Sequence, residues 1–416
     1  MKQFRNHTRR KFVQVAAASV MSFSVALSAC SSNTSETDVP EEAATENEEA
    51  TETAKEATSM VYIGTYADAG SESIFLYQLN HETGELTRVS GFRAGANPSF
   101  LTLDEPRKHL YAVNEIGNYE GQESGAVSAF SVDPQNGNLT LMNRKASMGG
   151  SPCYISLGEG GKTVLVANYS GGNVAAFPIK DNGQLESAAD VEQHEGTGPN
   201  EDRQEAAHAH YIAPSPDNQY VYAVDLGVDK IYSYRLDSGT GALTPAEPAV
   251  AFVASPGAGP RQMAFHPGGK YAYVINELNS TMTALAYDSG NGTFTEVQTL
   301  PTVPADITEN NYPAAVRVSP DGKFLYGSNR GHNSIVVYSL DDSTGNMTYV
   351  ENVPCGGDWP RDMTIDLSGN LLLVANERSN SIVAFKRDKA TGKLTATGHT
   401  SEVSKPVCLQ VVPDFE

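Results

Sequence analysis

A glycine-centred turn recurs seven times along this chain, at a spacing that leaves little choice of architecture. It reads TGELT around Gly84, NGNLT around Gly137, NGQLE around Gly183, TGALT around Gly241, NGTFT around Gly292, TGNMT around Gly345 and TGKLT around Gly392. Successive glycines lie 53, 46, 58, 51, 53 and 47 residues apart. Each stands between an alternating apolar run and a shorter apolar–Thr run, so glycine supplies the positive φ of a hairpin. A unit of this length repeated seven times predicts an all-β fold: a seven-bladed β-propeller of four-stranded antiparallel blades around a channel.

A second pattern within the repeat points at the channel. An opening strand starts at Pro, passes a Pro/Gly/Asp turn and continues into a strand ending at Asn. The separation is sixteen residues in Pro98–Asn114, Pro152–Asn168, Pro260–Asn276, Pro313–Asn329 and Pro360–Asn376, and Ala209–Asp225 keeps the length with both residues changed. Residues at matched positions should therefore lie at matched depths. The seventh opening strand, Pro406–Val412, runs into the end of the sequence, and its missing partner is VYIGTY at Val61–Tyr66. The ring is expected to close by pairing these two, which removes both open edges. The 358 residues from Ser59 to Glu416 suffice for seven blades. They read as one folding unit, because each blade needs both neighbours to bury its faces.

Residues 1–29 read as an export signal, with Lys2, Arg5, Arg9, Arg10 and Lys11 ahead of an apolar stretch. It ends in Leu27-Ser28-Ala29-Cys30, which resembles a lipobox with Cys30 as the lipidated residue. Thr8-Arg9-Arg10-Lys11-Phe12-Val13 also resembles a twin-arginine motif. From Cys30 to Thr58 the chain carries nine acidic residues, one Lys and no aromatic, the composition of a solvated tether. The protein is then exported and held on the outer side of the cell membrane, touching the membrane only through lipid. Loss of the five leader cations takes the net charge from −21 to −26, which disfavours nucleic acid as a partner. Beyond Cys30 stand three cysteines, an odd number that implies no disulfide framework, and a monomer is expected.

Matched positions carry the candidate chemistry. The residue after Pro is Ser99, Cys153, His210, Arg261, Ala314, Arg361 and Val407 in turn. The residue after Asn is Glu115, Tyr169, Leu226, Glu277, Arg330 and Glu377, with Tyr66 equivalent in the first strand. Repeats that were only structural would place packing residues there. Here His210, Arg261, Glu277 and Arg330 converge from three consecutive blades, and Arg361, Glu377 and Glu115 continue the ring. Semi-buried charge of mixed sign marks either a salt-bridge ring or a site.

The polar segment GPNEDRQEAAHAH, residues 198–210, with the repeat GPRQMAFHPGGKYAYVINE, resembles the seven-bladed propeller lactonase family. That family includes the bacterial propeller type of 6-phosphogluconolactonase and the fungal carboxymuconate cyclases, and the resemblance spans Val61 to Val412. It implies a lactone hydrolase of 6-phosphogluconolactonase type needing no metal or cofactor, with a small-molecule lactone as partner, anionic ones included. It also implies His210, Glu277, Arg261 and Arg330 as catalytic residues. His208, Arg203, Arg361, Glu377, Glu115 and Tyr169 are the expected substrate-binding neighbours. Glu277 or His210 would be the base, and the arginines would hold an oxyanion or a substrate anion. The same set would serve a lactonising cyclase, and a non-catalytic cell-surface binding propeller is the reading from another class.

Three further features bear on the site. His208 and His210 lie two apart on a strand, yet no third ligand accompanies them, so no metal is expected. Cys153 reads as a small packed residue rather than a nucleophile. Trp359 suits either packing or stacking on a sugar. An outward address also fits an unphosphorylated aldonolactone better than a metabolite of the cytoplasm.

Overall fold

The structure is a computed structural model and describes residues 58–307 and 309–415. The export signal, Cys30 and nearly all of the tether lie outside the described residues. Seven four-stranded antiparallel sheets form the propeller. Six follow chain order, and the seventh runs Pro406–Pro413, Thr58–Thr65, Ile74–Asn80, Leu86–Phe92. The two ends of the chain thus pair antiparallel, with Val61 opposite Val411 and Ile63 opposite Leu409. The first strand spans Thr58–Thr65, opening three residues ahead of the expected Val61 and ending one residue before Tyr66.

Middle strands such as Thr163–Asn168 and Leu371–Asn376 are buried along their whole length, because both faces pack on neighbouring blades. They read accordingly as continuous apolar runs. The outer strand Leu394–Glu402 alternates towards solvent. All seven turn glycines have φ between 71° and 86°, the left-handed region their hairpins demand. The blade containing Gly183 departs from the others. Its outer strand is only Asp190–Gln193, and the backbone of Leu185 pairs instead with the amide side chain of Asn143 from the preceding blade.

Two side-chain devices join the blades. In five of them a tyrosine three residues before the matched Asn position donates its hydroxyl to the turn glycine of the next blade. The pairs are Tyr62–Gly137, Tyr111–Gly183, Tyr222–Gly292, Tyr273–Gly345 and Tyr326–Gly392. Leu165 and Leu373 occupy that position in the other two. Four of the five matched asparagines donate to carbonyls of the segment arriving from the previous blade, as Asn168 does to Ser147 and Asn329 to Thr302, whereas Asn276 donates to the hydroxyls of Thr281 and Thr283. Asp225 reverses the polarity. As an acceptor it requires a donor, and His194 supplies one at 2.6 Å from the place equivalent to Ser147.

Pairing slips by one residue just after the matched Pro. Pro260 faces Asn276 and Gln262 faces Ile275, leaving Arg261 on a bulge. The same slip leaves His210, Cys153 and Arg361 unpaired. A bulge bends its strand and re-aims a side chain, and here it turns the residue after Pro toward the channel. One position further along, Phe100, Tyr154 and Tyr211 from consecutive blades pack as tilted ring pairs, with centres 4.2 and 4.6 Å apart.

Candidate active site

The bulge residues and the residues that follow the matched asparagines meet at one mouth of the channel. They enclose a cavity of about 300 Å³ lined by Glu115, Cys153, Tyr169, Arg203, His210, Glu277, Arg330 and Arg361. Glu277 follows the strand Tyr271–Asn276, and its amide donates to Gly259 O at 2.8 Å, which fixes its backbone. Its carboxylate gathers three guanidinium groups. Arg203 Nη2 lies 2.6 Å from Oε1, Arg330 Nη2 lies 2.6 Å from Oε2, and Arg261 Nε lies 3.1 Å from Oε2 without hydrogen-bond alignment. Arg261 Nη1 donates to Ala314 O at 2.5 Å and Arg330 Nε donates to Tyr312 O at 2.9 Å, so both side chains are tied to the backbone of the strand Tyr312–Val318.

Charge state follows from this packing. Burial pushes the Glu277 carboxyl up, but Arg330, Arg261 and Arg203 outweigh it and hold the group well below the ordinary carboxylate range. Burial and the charges of Arg330 and Arg361 push Arg261 down to about 9, still a cation at neutral pH. Burial, reinforced by Arg261 and opposed by Glu277, pushes His210 well below its ordinary 6.5. His210 is thus a neutral imidazole at physiological pH, and its buried Nδ1 has no hydrogen-bond partner among the described residues. A carboxylate so strongly held in its ionised form is a poor proton acceptor, which favours His210 over Glu277 as the base.

The expected binding residues divide into three groups. Arg203 arrives from the segment preceding the His210 strand and also touches the Tyr169 hydroxyl at 3.2 Å. His208 stacks on the Tyr169 ring at 4.5 Å, and its nitrogens meet Tyr169 O and Glu205. It shapes Tyr169 rather than lining the cavity, and among the described residues no cluster of three metal-ligating side chains is found. On the opposite side Arg361 lies 4.0 Å from Glu115, whose two oxygens each accept from the Tyr66 hydroxyl at 3.0 Å. Glu377 is half-buried behind this group, outside the cavity lining, and acts on Arg361 through charge.

Three residues remain: Tyr66, Cys153 and Trp359. Tyr66 sits at a matched position but was not among the expected site residues; its aromatic character hid a polar contact. Cys153 does reach the cavity, although burial raises its thiol far above the ordinary range and leaves it un-ionised. Trp359 packs against guanidinium groups, with Arg378 3.3 Å and Arg330 5.5 Å from its ring centre. That contact answers the packing alternative.

Comparisons with known proteins bear on the family and the fold. The family described as "Lactonase, 7-bladed beta-propeller" matches residues 60–411. A 6-phosphogluconolactonase of Bacillus subtilis is 39% identical over 305 residues, covering 73% of this chain and 84% of that protein. The periplasmic gluconolactonase PpgL of Pseudomonas aeruginosa superposes with a TM-score of 0.80 at 32% identity, covering 86% of this chain and 100% of that one. A Bacteroides fragilis protein solved at 1.50 Å gives 0.80 at 36% identity, covering 86% and 99%.

Proposed function

The chain belongs to the seven-bladed β-propeller lactonase family, and from that membership together with the cavity we infer a 6-phosphogluconolactonase-like lactone hydrolase acting on a small-molecule lactone. The observation that carries the chemistry is the buried His210 imidazole, its Nδ1 without a partner among the described residues, lining one cavity with Arg203 and Arg330 gathered by Glu277. His210 takes a proton from water as the water oxygen bonds to the lactone carbonyl carbon. The carbonyl oxygen becomes an oxyanion facing Arg330 and Arg203, whose donors are already oriented. The ring C–O bond then breaks, and the imidazolium returns its proton to the departing ring oxygen. The hydroxy acid ionises at neutral pH, so each turnover releases one proton. Glu277 holds the guanidinium groups in place and balances the transient imidazolium. Arg261 acts through Glu277 as a positioning residue.

The test is proton release by purified protein across a panel of lactones. His210→Ala should lower kcat by about 10²–10⁴-fold, and Arg330→Ala by about 10²–10³-fold. Arg235, exposed on a blade edge and stacked on Tyr220, is the control and should stay near parental activity. Parental turnover in His210→Ala would overturn this assignment.

We further propose that the enzyme works outside the cytoplasm, anchored by lipid at Cys30. Support comes from the basic start, the Leu27–Cys30 sequence and a relative described as periplasmic. Cys30→Ser should shift the protein from the detergent phase to the soluble fraction. Unchanged partitioning would remove the anchor.

A further inference from the structure

The cavity has two unlike ends. At the Glu277 end Arg203 and Arg330 each meet the carboxylate at 2.6 Å, and with Arg261 beside them the positive charge is in surplus. The far end is loosely paired. Arg361 makes no hydrogen bond among the described residues, and its nearest carboxylate oxygen, Glu115 Oε1, stands 4.0 Å from Nη2. That gap exceeds a hydrogen bond. The Arg361 guanidinium instead lies 5.2 Å from the Tyr66 ring centre, and the Tyr66 hydroxyl is spent on Glu115.

Glu115 does not drift to close the gap because its backbone is held twice. Its amide donates to Asn97 O at 2.8 Å and its carbonyl accepts from Asn97 Nδ2 at 3.1 Å. The cavity is therefore offered an unused donor fork on Arg361 and unused acceptor lone pairs on Glu115, side by side. A hydroxyl both donates and accepts, so one oxygen seated beside the pair satisfies both at once. A phosphate or carboxylate only accepts; it would face the carboxylate of Glu115, with the charge of Glu377 behind it.

We propose that Arg361, Glu115 and Tyr66 form a hydroxyl-recognition subsite for the polyhydroxylated, uncharged end of the lactone. The subsite rests on the lactonase reading above and narrows its substrate to neutral sugar lactones. It sets specificity, while the Glu277 end carries the reaction.

The experiment compares D-glucono-1,5-lactone with δ-valerolactone, the same six-membered ring without hydroxyls, and with 6-phospho-D-glucono-1,5-lactone. The parent should prefer glucono-1,5-lactone over both. Glu115→Gln keeps the shape and the Tyr66 contact but weakens the acceptor. It should lower the glucono-to-valero ratio of kcat/KM by about 10-fold or more, mainly through KM, the size expected for a hydrogen bond to a charged group. It should also narrow the preference over the phosphorylated lactone, by removing repulsion, which a merely structural loss would not do. Arg361→Gln provides a second route to the same collapse of selectivity should Glu115→Gln fold poorly. An unchanged ratio in a folded variant, or a parent that prefers the phosphorylated lactone, would overturn the subsite alone. A parent that hydrolyses none of the three would overturn the lactonase reading and the subsite with it.

Discussion

Glu277 sets one negative charge against three guanidinium groups, and Gln in its place would keep the shape while leaving those cations to repel one another in a buried site. Removing one partner of a buried ionic cluster costs about 3–5 kcal/mol. Glu277→Gln should therefore lower both the melting temperature and kcat, measured on the same preparation; a variant that melts like the parent would show the cluster is not structural. The charge states also set an acid limit. His210 is held below its ordinary 6.5, so between the two values the unfolded chain binds a proton that the folded chain does not. Stability consequently falls as pH drops below about 6.5, and Glu277, whose folded pKa is depressed, adds a further loss through the carboxylate range. Activity should stay level through neutral pH and decline only well below 6.5, because neutral His210 is the working form. A kcat/KM profile with its acid limb at the ordinary histidine value would contradict this. The four central residues were legible because the sixteen-residue spacing runs without gaps and places charge where a structural repeat would place packing. What stayed hidden was how the charges are shared out. Whether an arginine is spent on Glu277 or left open beside Glu115 depends on separations of 2.6 against 4.0 Å, which spacing alone does not encode.

Among the elements, the tyrosine-to-glycine contacts join the second strand of one blade to the hairpin of the next. Tyr273→Phe removes only the hydroxyl and should cost about 0.5–1.5 kcal/mol in denaturant unfolding, with activity retained. Gly345→Ala is more severe: φ is +75° and an added Cβ would lie 2.4 Å from the Tyr271 ring, so a markedly lower melting temperature is expected. The glycines announced these hairpins openly, whereas the bulges that aim His210, Arg261 and Arg361 left no residue signature. They arise because each opening strand gains one residue against its partner, and that shows only in the register. Asp225 is an intermediate case. Its departure from Asn was visible, but the compensating His194 lies 31 residues earlier, outside any aligned position. Asp225→Asn alone should destabilise, since His194 Nδ1–H loses a charged acceptor. Adding His194→Ser removes the stranded imidazole and clears the way for the new amide to donate to the backbone carbonyl of position 194, as Asn168 does to Ser147 O, and should recover part of the loss; equal stability of the single and double variants would argue against the exchange.

For the whole molecule, closure decides whether the ring and the site exist together. Pro406–Pro413 is the inner strand of the last sheet, and Leu409 N reaches back to Asp362 Oδ2 at 2.9 Å in the blade before it. Thr58–Thr65 covers its other edge residue by residue, and Tyr62 from that strand reaches forward to Gly137. The next residue, Tyr66, bonds Glu115 and lies against Arg361. A short segment at the start of the propeller thus carries the seam, one inter-blade contact and the hydroxyl donor to a carboxylate that lines the cavity. A protein beginning at Thr58 should melt like one carrying the tether. A protein beginning at Ala67 exposes the edges of Pro406–Pro413 and Ile74–Asn80 and leaves Glu115 without its hydroxyl donor, so it should lose its cooperative transition or melt at least 10 °C lower, taking lactone selectivity with it; a shift of that order corresponds to only a few kcal/mol in a chain this long. Unfolding curves that superpose for the two proteins would mean that the blades hold the ring without the seam.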